Sequence, residues 1–353
     1  MKFTYDQISR LIKRFKTIKP NIVIIWGWKM GLCYNKWNNY QFFQYKKENN
    51  LNKNNRILVV GGTGFIGTNV CNYFKKKRFE VTSISLSRPT KINKVLGVKY
   101  LVCDIRNKKF LKKKIKNNFD YVINLAGHRN HRQRKQIIKT DYIGSKNLAD
   151  FFSEKKIFKF IHIGSGLEYG NSYSPQSENK TCNPKSAFAI AKLRTTRHLQ
   201  TLNKKKNFPF ITLRLYQVYG PFEKNKKIVP HTINNCLNNN NFNCTDGKQI
   251  RDFLFVDDLL ILIDKVIKKK QCKEIIFNVG SGKPIKLKNL VNKINSLIKT
   301  GKPNFGKIKI RKDEQKKLFP NISKVKSTFS WKPKYNYEHG LKKTIKFYKN
   351  YEN

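Results

Sequence analysis

Arg56-Ile57-Leu58-Val59-Val60-Gly61-Gly62-Thr63-Gly64-Phe65-Ile66-Gly67 opens with a run that is mostly apolar and β-branched and closes on a glycine-rich turn. Four to eight such residues stopped by glycine read as a short buried strand. A helix-like stretch continues from the turn to about residue 77. Strand, glycine turn and helix in that order are the setting a dinucleotide-binding turn requires. One glycine permits the tight turn, one lets the backbone approach a pyrophosphate, and one lets helix and strand pack closely. The phosphates would rest on N–H groups at the helix N-terminus. Gly61, Thr63, Gly64, Phe65, Ile66 and Gly67 are therefore candidate cofactor-binding residues.

Outward from this unit the pattern repeats. Apolar runs at 81–86, 98–102, 121–126, 160–163, 210–215 and 275–279 are separated by segments of helical spacing, such as 141–155 and 185–205. Strands alternating with helices predict an α/β fold with a doubly wound parallel sheet. Residues 1–55 stand apart, with a basic stretch at 10–19, a short apolar patch at 22–28 and an Asn/Lys-rich run. The patch is broken early by Trp26-Gly27-Trp28-Lys29, unlike a secretory signal. This segment reads as an extension of unassigned role, and an over-extended gene start is one account of it.

The 353 residues carry 75 Lys and Arg against 21 Asp and Glu, a formal charge of +54. Such a balance points either to a polyanion partner or to a Lys- and Asn-rich background. The lysines are spread along the whole chain rather than gathered on one arm, which favours the background. Specific nucleic-acid binding is not expected, and any such binding should be weak and steeply salt-dependent. Hydrophobic residues make up 39%, enough apolar mass to fold. Seven scattered cysteines with no CxxC pair read as thiols in a reducing compartment, so a cytoplasmic location is expected. No apolar run reaches transmembrane length, and no metal site is expected.

Where an NAD site usually places an acidic residue, near the end of the second strand, this chain has Ser85, followed by Arg88. A cation in place of a carboxylate suits a 2′-phosphate, so NADP is favoured slightly over NAD.

Further motifs follow in order: Asp104-Ile105, Asn124-Leu125-Ala126-Gly127, Ser165-Gly166-Leu167-Glu168-Tyr169-Gly170, Arg214-Leu215-Tyr216-Gln217-Val218-Tyr219-Gly220-Pro221, Arg251-Asp252-Phe253-Leu254-Phe255-Val256-Asp257-Asp258 and Asn278-Val279-Gly280-Ser281-Gly282. Together with the glycine turn, over about residues 56–350, the chain resembles the NAD-dependent epimerase/dehydratases, extended short-chain enzymes acting on nucleotide-sugars. The resemblance implies a Rossmann-type domain over 56–222, with 253–282 returning to it. It implies a smaller, discontinuous substrate domain from 223–252 and 283–353. Asp104 and Ile105 would meet the adenine end of the cofactor, and Ala126 and Gly127 the nicotinamide side. Ser165 matches the catalytic Ser/Thr, and Lys192 the lysine that holds the nicotinamide ribose. Gln217, Arg251 and Arg311 would bind a nucleotide-diphosphate sugar, with Arg251 as the diphosphate clamp and Arg214 a weaker candidate. The Trp331-Lys332-Pro333 turn would belong to the smaller domain. A homodimer is one assembly the resemblance allows.

Three departures qualify the resemblance, and one further feature bears on the reaction. The family's Tyr-x-x-x-Lys reads Phe188-Ala189-Ile190-Ala191-Lys192, so the proton donor is missing at Phe188 and water, Ser165 or Tyr169 would have to serve. Asp141 stands where the family has Asn, and Gln217 where many members have Asn. The two residues after Ser165 are Gly166 and Leu167 rather than the Asp-Glu pair of dehydratases. A 4-keto-6-deoxy-sugar reductase or an epimerase is therefore expected ahead of a dehydratase. A catalytically weakened or inactive protein that binds cofactor or nucleotide-sugar is the alternative reading. A further one is an RNA-binding member of the same family.

Overall fold

The structure, a computed structural model, describes residues 55–128, 130, 133–272, 275–310 and 314–350. The N-terminal extension and Arg311 lie outside the described residues. From Asn55 the chain alternates as its apolar runs predict. It forms β1 (Arg56–Val60), α1 (Phe65–Lys76), β2 (Glu80–Ser85), β3 (Lys99–Val102), α2 (Lys108–Lys114) and β4 (Tyr121–Asn124). A short helix, α3 (Arg134–Ile137), runs through a π-helical turn (Ile138–Gly144) into α4 (Ser145–Ser153). Next come β5 (Lys159–Ser165), a 3₁₀ turn (Gly166–Tyr169), α5 (Ala187–Lys206) and β6 (Phe210–Leu215).

Six of these strands and a later one, β10 (Ile276–Val279), form one parallel sheet in the order β10-β6-β5-β4-β1-β2-β3. Side chains alternate across a strand, and β1 divides its residues accordingly. Ile57 and Val59 join a core with Val70 and Phe74 of α1, whereas Leu58 and Val60 join a core with Leu148 and Phe152 of α4. Both faces are covered, which is why β1 reads as an unbroken apolar run.

Beyond β6 the chain builds a second layer from β7 (Gln217–Tyr219), α6 (Ile228–Leu237), β8 (Asn241–Asn243) and β9 (Ile250–Phe255). It then returns to the main sheet through α7 (Val256–Lys268) and β10, and leaves again as β11 (Pro284–Lys286), α8 (Leu287–Ile298), β12 (Lys302–Asn304) and β13 (Lys317–Leu318). The chain ends in α9 (Ser323–Phe329) and α10 (Tyr337–Lys349). In the smaller sheet β9 is the hub, pairing with β7, β11 and β13. Residues 250–255 and 217–219 thus pair in the smaller sheet, and α7 follows directly from β9 at Val256. Trp331 ties the C-terminal segment to α7. It is buried in the core that holds α7 and α9, and its indole donates to the Asp258 carbonyl at 3.2 Å. The Asp258 carboxylate accepts the Lys334 and Tyr335 amides, so the Trp331-Lys332-Pro333 turn anchors the last helix to α7.

The glycine turn is closely packed. A Cβ on Gly67 would stand 2.2 Å from the Gly61 carbonyl oxygen and 2.6 Å from Gly62 Cα, both rigid backbone atoms. Gly67→Ala is expected to lower the melting temperature and abolish dinucleotide binding, because overpacking costs about 1–3 kcal/mol and here forces α1 off β1. Unchanged melting and cofactor titration would show that the turn has room to spare.

Candidate active site

Strand order reverses between β1 and β4, because β1 leads on to β2 and β3 on one side while β4, β5 and β6 lie on the other. Open α/β sheets bind ligands outside the carboxyl ends of the strands at such a switch point. Here the loops after β1 and β4 touch. Gly61 has φ +81°, and a Cβ on it would meet the Leu125 carbonyl oxygen at 3.1 Å. Gly64 caps α1 with no side-chain hydrogen bond, which leaves first-turn amides of α1 to face a phosphate. Phe65 and Ile66 are half-buried, Phe65 against the core of the second layer and Ile66 against that of the sheet.

The rim of the turn is held by polar contacts. The Thr63 amide donates to Ser85 Oγ at 3.3 Å, and Asn93 Nδ2 donates to the Thr63 carbonyl at 3.1 Å. Ser85, in the place of an acidic residue, is thus part of the scaffold of the turn. Arg88 follows on the loop beyond β2, exposed. The Arg106 guanidinium grips Asp104 at 2.7 Å and holds its carboxyl below the usual range. Ile105 is buried beneath Gly144, where a Cβ would stand 2.7 Å from its Cγ1.

Helix α5 supplies the next candidate residues. Ser186 caps the helix through its Oγ, which accepts the Ala189 amide at 3.2 Å. Phe188 and Lys192 then fall one turn apart on the same face, with Lys192 Nζ 5.6 Å from the Phe188 ring centre. Lys192 is only 4% exposed. Its Nζ donates to the Ala126 carbonyl at 3.3 Å and lies 3.5 Å from Asp141 Oδ1. Asp141 is fully buried in the π-helical turn, and its Oδ2 accepts the His128 amide at 2.8 Å. The fold therefore brings Phe188, Lys192 and Ala126 together, beside the exposed Gly127.

Ser165 ends β5, one strand away from β4. Its Oγ accepts the Leu167 amide at 3.2 Å and keeps its own proton to donate. Its amide donates to Glu168 Oε1 at 2.9 Å, closing a reciprocal cap on the 3₁₀ turn. Glu168 is fully buried and its Oε2 meets Arg214 at 2.9 Å. Arg214, 3% exposed, is spent on this pair and on the Tyr169 ring 4.5 Å away, so it is not a diphosphate clamp. Tyr169 is likewise engaged in the wall of the site. Its hydroxyl donates to Asn278 Oδ1 at 2.8 Å, and burial pushes its pKa up to about 12. Below the site His162 is fully buried beside Asn124 Nδ2 at 3.3 Å, and burial, with the Lys192 charge, keeps its pKa well below the usual value.

On the substrate side Gln217 is half-buried in β7. Arg251 pairs with Glu314 at 3.1 Å and donates to the Ile250 carbonyl at 2.9 Å. Glu314, 63 residues along the chain, is thus a carboxylate partner of Arg251. Asp252 accepts the Gly282 amide at 2.7 Å. Gly166 lies under Tyr216, where a Cβ would stand 2.5 Å from the ring. The Glu168–Arg214 pair is the main site feature that the sequence reading missed. Its signal is the spacing Ser165-x-x-Glu168, a capping-box pattern.

The model of the NAD dependent epimerase/dehydratase family matches residues 57–280. The chain belongs to this family. Over 84% of its length it is 26% identical to a dTDP-D-glucose 4,6-dehydratase of Dictyostelium discoideum, covering 82% of that protein. It is 25% identical to a CDP-abequose synthase of Salmonella muenchen, covering 84% of this chain and 98% of that one. Among solved structures, the UDP-glucose 4-epimerase of Thermotoga maritima, determined with UDP-glucose, superposes with a TM-score of 0.80 at 25% identity, over 84% of this chain and all of that one. The family is NAD dependent, and the relatives named here are a dehydratase, a synthase and an epimerase, each named for a nucleotide-linked sugar.

Glu168→Gln leaves Arg214 buried opposite a neutral amide. Breaking one side of a buried pair costs about 3–5 kcal/mol, so thermal unfolding should shift down by many degrees. A melt within a degree of the parent would show that the pair does not hold the end of β5.

Proposed function

We propose that this protein binds NADP(H) in preference to NAD(H), together with a nucleotide-diphosphate sugar, and transfers hydride at a sugar carbon as a 4-keto-6-deoxy-sugar reductase or an epimerase. The observation that supports this most is the buried Lys192, whose ammonium meets the Ala126 carbonyl at the strand switch point, one strand from Ser165. The uncapped α1 N-terminus and the close approach at Gly61 fit a pyrophosphate. The exposed Arg88 guanidinium fits a 2′-phosphate. When bound, the nicotinamide supplies or accepts the hydride.

The chain's own residues then have distinct tasks. Lys192 orients the cofactor ribose. Ser165, still holding its hydroxyl proton, hydrogen-bonds the reacting sugar oxygen. Arg251 would exchange Glu314 for the diphosphate, a fork of N–H groups suiting either acceptor. Position 166 speaks against a dehydratase, because a carboxylate side chain there would have to displace the Tyr216 ring. Phe188 fills the proton donor's place without a hydroxyl, and general acid–base help is typically worth about 10²–10⁴-fold. Turnover is therefore slow, with Ser165 or water passing the proton. Phe188 also favours the second reading, a protein that binds both ligands and does not turn them over.

Calorimetric titration should show tighter binding of NADPH than NADH, and Arg88→Ala should collapse that preference. NADPH oxidation with a panel of 4-keto-6-deoxy nucleotide-sugars should be measurable and slow. Binding of both ligands without oxidation would leave the second reading, and failure to bind any dinucleotide would overturn both.

A further inference from the structure

We propose that Asp141 is the charge partner that Lys192 has in place of the missing phenol, a positioning residue that holds the ammonium and cancels its field at position 188. The inference rests on the site described above and adds a residue to it. Asp141 is fully buried, and a buried carboxylate is costly unless paired and hydrogen-bonded. Its Oδ2 takes the His128 amide and its Oδ1 faces Lys192 Nζ at 3.5 Å.

The surroundings are shaped for it. The π-helical turn carries Asp141 inward, and Thr195 Oγ1 on α5 donates to the Asp141 carbonyl at 2.9 Å. Gly127 leaves room, since a Cβ there would stand 3.1 Å from Asp141 Oδ1. Among the described residues, the groups facing Lys192 come from four elements: Asp141 from the π-helical turn, the Ala126 carbonyl from the loop after β4, the Phe188 ring from α5, and His162, kept neutral, from β5. Asp141 is the anion among them.

A lone cation favours the ionised form of a neighbouring phenol, and a carboxylate beside that cation opposes it. The two departures from the family pattern, at 141 and 188, are therefore coupled. With no phenol to activate, the ammonium needs another partner, and Asp141 supplies it. Asp141 itself, fully buried, does not reach a substrate. Restoring a tyrosine at 188 alone would place its hydroxyl beside a neutralised pair. Removing the carboxylate as well should return the phenol to the field of a free cation.

The test compares the parent, Phe188→Tyr, Asp141→Asn and the double variant. Absorbance titration of phenolate, with each Phe188 background subtracted, isolates the added hydroxyl from the 16 native tyrosines. With Asp141 present it should ionise near or above the usual value of about 10. In the Asp141→Asn background it should ionise lower by about one unit or more. Asp141→Ser serves as a second neutral replacement, and cofactor titration with thermal melts checks folding. In NADPH oxidation the double variant should exceed Phe188→Tyr by about tenfold or more. Equal ionisation in both backgrounds overturns the pairing, whatever the turnover. A clear ionisation shift with no turnover on any sugar supports the pairing and counts against the proposed reaction instead.

Discussion

A lysine ammonium buried at the carboxyl end of a parallel sheet has to be met by acceptors, and the site is arranged around that requirement. Lys192 meets the Ala126 carbonyl and Asp141 at the point where the strand order reverses. Each of those partners is itself held. The Ala126 amide donates to Asn124 Oδ1 at 3.1 Å, and Asn124 in turn donates to Ser145 Oγ at 3.0 Å. Asp141 is fixed by the His128 amide and by Thr195. The crowded backbone at Gly61 joins the same loop after β4 to the glycine turn after β1. Glycine turn, lysine and π-helical turn are thus parts of one packed unit.

The second buried pair sets the other wall. Glu168 and Arg214 join the end of β5 to β6, and Glu168 also caps Ser165. Arg214 lies on the Tyr169 ring, whose hydroxyl reaches Asn278 on β10. Three neighbouring strands are therefore linked through polar contacts under the position of Ser165. Buried pairs of this kind need every partner present. That need explains why Arg214 and Tyr169 serve structure in this chain.

The sheet is legible in the sequence because its strands are buried on both faces and stand as separate apolar runs between helices. β1, β6 and β10 lie within a residue of the runs that announce them. The glycine turn is legible because a tight turn and a close approach demand particular residues. Less legible is what depends on contacts far apart in the chain. Arg251 is 63 residues from Glu314, and no local spacing links them. Lys192 and Asp141 come together only because α5 packs on a π-helical turn, which by periodicity reads as the start of an ordinary helix. The contact of Trp331 with α7 is equally remote in the chain, 73 residues from Asp258, and no local spacing signals it.

The proposed function requires a dinucleotide across the strand switch point, with its nicotinamide between Lys192, Phe188 and Ser165. A crystal structure of the protein with NADPH tests it most directly. The account predicts the nicotinamide ribose within hydrogen-bond reach of Lys192 Nζ, Asp141 still beside that nitrogen, and the ring carbon that exchanges hydride facing the gap between Phe188 and Ser165. A cofactor bound elsewhere, or a nicotinamide turned away from Lys192 and Ser165, would contradict it.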